Sequence, residues 1–162
     1  PVFYPISFMS VEKKLRELGI TLPSPPKPVG SYIPAVRTGN LLFLSGMIPF
    51  QDGKLAWEGK LGHELTVEQG KQAARLALIN ALAVIQQALG SLDRVKRIVR
   101  LGGHVASAPG FNQQPMVLNG ASDLLVEIFG ERGIHARLAL GAIELPLNAP
   151  VELELIVEVE GE

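Results

Sequence analysis

Near its end the chain alternates: Val151, Leu153, Leu155, Val157 and Val159 are separated by Glu152, Glu154, Ile156, Glu158 and Glu160. A period of two puts the valines and leucines on one face of a strand and several carboxylates on the other. Residues 66–89 keep a different period. Ala73, Leu76, Ala77, Asn80, Ala81 and Val84 recur at helical spacing, with Leu78, Leu82 and Leu89 widening the apolar face. Thr66 and Gln69 have capping-box spacing, and Gly90 supplies a stop. A second helix is predicted over 115–129, with Pro115 in its first turn and Gly130 after its end. Residues 95–105 and 136–143 are rich in small and β-branched positions and read as strands, as does 151–158.

The first part of the chain is more broken. Two apolar runs, 33–37 and 41–45, flank Thr38-Gly39-Asn40 and predict a hairpin. Asp52-Gly53 marks a turn, followed by a weaker strand at 54–57. Residues 11–18 form a short helix capped by Ser10 and stopped at Gly19. The segment TLPSPPKPVG, residues 21–30, holds four prolines and is an extended connector. Gly102-Gly103 predicts a bulge or a close backbone approach. The order of elements implies an α+β fold, a mixed sheet with both main helices on one face. The other face then needs cover, which predicts an oligomer. Residues 1–27 are an amino-terminal extension with the short helix and proline-rich leader, and 28–162 a single domain.

Composition narrows the function classes. With 47% hydrophobic and 19% charged residues the chain can build a sizeable core. A formal net charge of -1 gives no long-range attraction to nucleic acid. No cysteine is present, so disulfides, thiolate metal sites and a cysteine nucleophile are excluded, which fits a cytoplasmic location. There is no apolar run of about 18 residues to span a membrane. Residues 1–8, PVFYPISF, are short and lack a basic residue; they make a poor signal peptide and are set aside from the fold.

Three groups of residues invite a chemical reading. Arg137 stands in a strand of small and apolar residues, ARLALGAI. It is either half of an ion pair with Glu152 or Glu154, or an anchor whose planar fork takes a substrate carboxylate. Arg94, Lys96, Arg97 and Arg100 form a basic run without aromatics, which predicts a solvated strand edge or salt bridges to the acidic last strand rather than a nucleic-acid surface. His63, His104 and His135 lack metal-ligand spacing and read as surface or packing residues; His104 faces opposite to Val105, toward a cleft.

Gly30-Ser31-Tyr32-Ile33-Pro34 resembles the GPY-type segment of the reactive-intermediate deaminase (RidA, or YjgF-like) family, and Leu44-Ser45-Gly46-Met47-Ile48-Pro49 resembles its SGQIP segment. Ala136-Arg137 through Leu145-Pro146, followed by Val151-Glu152-Leu153-Glu154, resembles the ARS…LP…VEIE signature without a gap. The likeness covers roughly residues 28–160. It departs from the short members at Met47, where glutamine is common, and at Ala139, where cysteine is common. There are also about three more residues between Asn119 and Phe129. The resemblance implies a chorismate-mutase-like fold, a homotrimer with sites between subunits, and hydrolysis of 2-imino or enamine acids to 2-oxo acids and ammonia without a cofactor or metal. It implies that Arg137 binds a small carboxylate-bearing substrate and that Glu152 moves protons for the hydrolytic water. Tyr32, Ser45 and Asn119 would line the cleft. The alternatives are a non-catalytic binding or regulatory trimer and, third, an endoribonuclease or translation inhibitor.

Overall fold

The computed structural model describes residues 9–161; the apolar stretch 1–8 set aside above lies outside them. Within the described residues the order is α1 (Val11–Glu17), β1 (Ala35–Thr38), β2 (Leu41–Leu44), β3 (Phe50–Gln51) and β4 (Lys54–Leu55), then α2 (Val67–Leu89), β5 (Val95–Ala106), α3 (Gln114–Phe129), β6 (Ala136–Ala142) and β7 (Val151–Val159). The main sheet runs β1-β2-β7-β5-β6. Only β5 and β6 are parallel, because α3 crosses over between them; the other neighbours are antiparallel. The last strand of the sequence is therefore the central one, and it is also the one with the strictest alternation.

Local chemistry sets the helix ends. The Thr66 side chain accepts from the Gln69 N–H while the Gln69 side chain accepts from the Thr66 N–H, closing the capping box. Gly90, at φ 81°, stops α2 in the left-handed region. The buried face of α2 is mostly small: Ala73, Ala74, Ala77 and Ala81 alternate with Leu78, Leu82 and Ile85. Each large buried side chain contributes about 1.5–3 kcal/mol. The small ones let the second helix come close. At Gly120 of α3 an added Cβ would overlap the carbonyl oxygen of Lys71 on α2. Val11 and Leu15 of α1 join the same core.

Several expectations need correction. The strand expected at 33–37 begins at Ala35. Ahead of it the Ile33 carbonyl accepts from the Ser45 hydroxyl, not from a neighbouring strand. The strand at 54–57 shrinks to Lys54–Leu55, because its only partner among the described residues is the unforeseen β3, joined to it by Asp52 and Gly53, both at positive φ. Gly102-Gly103 is not a bulge: pairing of β5 with β7 is regular there, and the register shifts lie at Val95/Arg97 and Ile98/Arg100. The pair serves close approach instead, since a Cβ on Gly103 would overlap Leu118 of α3. The basic run is not on a strand edge, as β5 is interior to the sheet. Lys96 reaches Glu158 of the acidic strand at 3.8 Å.

Both α2 and α3 pack on one sheet face. The opposite face is open and partly apolar. Val36 and Phe43 are register partners on it, and Leu138 and Leu140 project from β6; all four are exposed.

Candidate functional site

The segment Ser45–Met47 leaves β2 and is held against β7. Met47 and Leu153 exchange two backbone hydrogen bonds, at 2.7 and 2.9 Å. That bridge sets Gly46 directly beneath Glu152, and a Cβ on Gly46 would overlap the Glu152 carboxylate. Glycine here lets the acid group lie over the backbone; a side chain at this position would push the carboxylate aside. Tyr32, Ser45, Gly46, Met47, Pro146 and Glu152 line an open cavity of about 390 Å³, and Pro26–Val29 of the leader forms one wall.

The polar groups in this cavity have distinct capacities. The Ser45 hydroxyl donates to the Ile33 carbonyl at 2.7 Å, so its hydrogen is spent and its lone pairs remain to accept. The Tyr32 hydroxyl accepts from the Val29 N–H at 3.3 Å and keeps its own hydrogen to donate. Burial raises the pKa of Glu152; nearby His104, its register partner on β5, pulls it down, and Glu154 raises it further. A carboxyl group so placed holds a proton more readily than a solvated one.

Arg137 is elsewhere. It pairs in register with Leu101, whose side chain is fully buried under the helices, so Arg137 faces the helix side of the sheet. There its Nη1 donates to Asn119 Oδ1 at 2.7 Å and to Ser122 Oγ at 3.1 Å, both on α3. The ion pair with Glu152 or Glu154 weighed from sequence is absent: Glu152 pairs with His104 and faces the other side of the sheet. The two hydrogens of Nη1 are used. The Nε and Nη2 edge has no partner among the described residues, and that edge is the side-on fork which matches a carboxylate with two parallel bonds.

The five residues singled out from sequence thus form two half-sites. Tyr32, Ser45 and Glu152 share the cavity; Arg137 and Asn119 share the α3–β6 edge. Within one chain the halves do not meet. Sequence reading did not single out Asn80 or Ser122 as contributors, and read His135 as a surface or packing residue. Asn80, the buried polar residue of the core, donates to the Ile48 and Phe50 carbonyls at 3.1 and 3.0 Å and pins the strip that carries Met47. Its only signal was an amide on an apolar helical face. Ser122 Oγ lies 3.1 Å from Arg137 Nη1 and 3.0 Å from His135 Nε2. Among the described residues no group of three or more His, Cys, Asp or Glu side chains is placed to hold a metal ion. None of their helices is long and apolar enough to cross a membrane.

Residues 12–159 match the protein family described as "YjgF/chorismate_mutase-like, putative endoribonuclease". The chain is 44% identical over 152 residues to Protein TCP17 of Trypanosoma cruzi, covering 93% of this chain and 95% of that one. It is 30% identical over 141 residues to the 2-iminobutanoate/2-iminopropanoate deaminase of Dermatophagoides farinae, covering 87% and 95%. A solved structure of a protein of unknown function from Agrobacterium tumefaciens has TM-score 0.87 and 43% identity, covering 93% of this chain and 92% of that one.

Proposed function

The chain belongs to the YjgF/chorismate mutase-like family, and on that premise we propose that it hydrolyses small 2-imino acids and their enamine tautomers to 2-oxo acids and ammonia. The observation that carries this reading is the unspent Nε–Nη2 edge of Arg137, held in place through Nη1 and left open to a carboxylate. The similarity to a relative bearing the 2-iminobutanoate/2-iminopropanoate deaminase name supports the substrate class.

Arg137 and Glu152 face opposite sides of the sheet, so one active site takes Arg137 and Asn119 from one copy and Tyr32, Ser45 and Glu152 from another. A homotrimer built over the open face carrying Val36, Phe43, Leu138 and Leu140 would bring them together. In such a site Arg137 binds the carboxylate of the iminium acid, and Ser45 Oγ accepts from its N–H. Water adds to the C2 carbon as Glu152 takes one of its protons. The resulting carbinolamine collapses when that proton reaches nitrogen: Glu152 takes the proton of the new hydroxyl as the C2–N bond breaks, the water oxygen becomes the 2-oxo group, and ammonia leaves with that proton as ammonium. The imine is already electrophilic, so orientation and a proton carrier suffice.

The ribonuclease part of the family description has less to draw on. His63 contacts Glu64, His104 lies beside Glu152, and His135 bonds Ser122, so the three histidines serve different elements. The test of the deaminase reading generates 2-iminopropanoate in place with an amino acid oxidase and follows its disappearance against a chemical trap. Purified protein should suppress trapping at catalytic concentration. Unchanged trapping would refute the activity. Leu140→Glu should yield monomers by light scattering and no suppression; an active monomer would refute the shared site.

A further inference from the structure

Behind Arg137 lies a directed chain of hydrogen bonds. Arg137 Nη1 can only donate, so Ser122 Oγ accepts from it at 3.1 Å. Ser122 Oγ also lies 3.0 Å from His135 Nε2, and His135 Nδ1 lies 2.6 Å from the Gly133 carbonyl. A carbonyl can only accept, so Nδ1 carries the hydrogen. In the neutral ring Nε2 is then the acceptor, and the Ser122 hydroxyl donates to it. Every group has one consistent role: Gly133 sets the tautomer of His135, His135 orients the Ser122 hydroxyl, and Ser122 presents a lone pair to Arg137. His135 and Ser122 are both half-buried, whereas Arg137 is exposed.

We propose that His135, acting through Ser122, is a positioning residue that holds the guanidinium of Arg137 with its Nε–Nη2 edge turned to the substrate carboxylate. The inference rests on the reading of Arg137 as the carboxylate anchor. An exposed arginine on an edge strand has several free torsions, and a single bond to Asn119 leaves it able to swing. A second acceptor on the same nitrogen fixes the plane of the fork. Fixing it before binding lowers the ordering cost of the complex. The effect belongs to binding rather than to the chemical step, because the same fork holds the carboxylate before and after water adds.

The experiment combines side-chain nitrogen NMR of the full-length protein with kinetics on 2-iminopropanoate and binding of pyruvate, the product acid. The ring nitrogens of His135 should report the Nδ1–H tautomer, and Ser122→Ala should shift the Nε2 resonance, which loses its donor, while the Gly133 carbonyl keeps that tautomer in place. His135→Ala and Ser122→Ala should each raise KM by about five- to tenfold, with kcat within about twofold. His135→Gln, whose Oε1 can accept from Ser122, should stay within about threefold of the parent protein. In an Arg137→Ala background His135→Ala should change nothing further. An Nε2–H tautomer, a fall in kcat with KM unchanged, or a full effect of His135→Ala without Arg137 would each overturn the proposal. Pyruvate binding separates the two readings. If binding weakens in Arg137→Ala but not in His135→Ala, this inference fails and the anchor stands. If both weaken while the parent protein deaminates nothing, the positioning chain stands and the deaminase reading fails.

Discussion

Replacing Arg137 separates its chemistry from its contribution to the fold. Arg137→Lys keeps the charge but loses the planar fork; the new ammonium can meet a carboxylate at one point only. Loss of one charge-assisted hydrogen bond costs about 1.5–3 kcal/mol. Through transition-state arithmetic that is about 10- to 150-fold in kcat/KM, and Arg137→Ala should lie at or beyond the upper end. The cost to stability is smaller. The side chain is exposed and has two hydrogen bonds, to Asn119 and Ser122, and no ion pair among the described residues. No buried carboxylate is stranded when it is removed, so the penalty of about 3–5 kcal/mol for breaking a buried pair does not apply. Both bonds are solvent-exposed and water takes their place, so the loss is about 1 kcal/mol, or roughly 2–4 °C in melting temperature for a chain of this size. The assay measures imine disappearance and thermal melting on the same preparations. Undiminished deamination by Arg137→Ala would refute the anchor. Complete unfolding of that variant at room temperature would show that the residue is structural.

Three further substitutions test other parts of the argument. Glu152 has a pKa raised chiefly by burial, so its folded-state contribution is fully present at low pH and is lost as pH rises through that raised value. Glu152→Gln should therefore gain stability relative to the parent protein as pH rises from acid to neutral, while kcat falls; a melting-temperature difference that shrinks over that range would contradict the assignment. Gly120→Ala would ordinarily stabilise a helix interior by about 0.5–1 kcal/mol. Here the added Cβ meets the Lys71 backbone, so urea unfolding should instead show a loss of about 1–3 kcal/mol, and a gain would mean the helices are not this close. Asn80→Ala leaves the Ile48 and Phe50 carbonyls without their donor, a cost of about 2–3 kcal/mol, and should also raise KM because the strip bearing Met47 is loosened; unchanged stability would refute its pinning role.

Most elements could be read from the chain because their signals are local. The alternation of Val151–Val159 and the caps at Thr66 and Gly90 act within a few residues of themselves. The two-residue strand Phe50–Gln51 is too short to show a period, and it exists only because the Asp52-Gly53 turn folds Lys54–Leu55 back on it. The proline-rich leader read correctly as a connector without helix or strand, but nothing in its composition indicates that Pro26–Val29 walls the Glu152 cavity. The chain of bonds from Gly133 to Arg137 joins a strand to a helix that precedes it, and no spacing rule links Ser122 to His135.

The relation between Arg137 and Glu152 depends on parity, which no single strand carries. Each residue alternates correctly within its own strand, and sequence alone allowed them to form a pair. The decision lies in β5, which separates them in the sheet. Arg137 is level with Leu101 on one side of β5, and Glu152 is level with His104 on the other. Positions 101 and 104 differ by an odd number, so their side chains point to opposite faces. Leu101 goes into the core and takes Arg137 to the helix side; His104 goes outward and takes Glu152 to the open face. A shift of one residue in either pairing would have put guanidinium and carboxylate on the same face and favoured a structural ion pair. The observed register keeps them apart, leaves one edge of the arginine unspent and leaves the acid in its own cavity. A catalytic use of both groups on one substrate therefore requires a second copy of the chain.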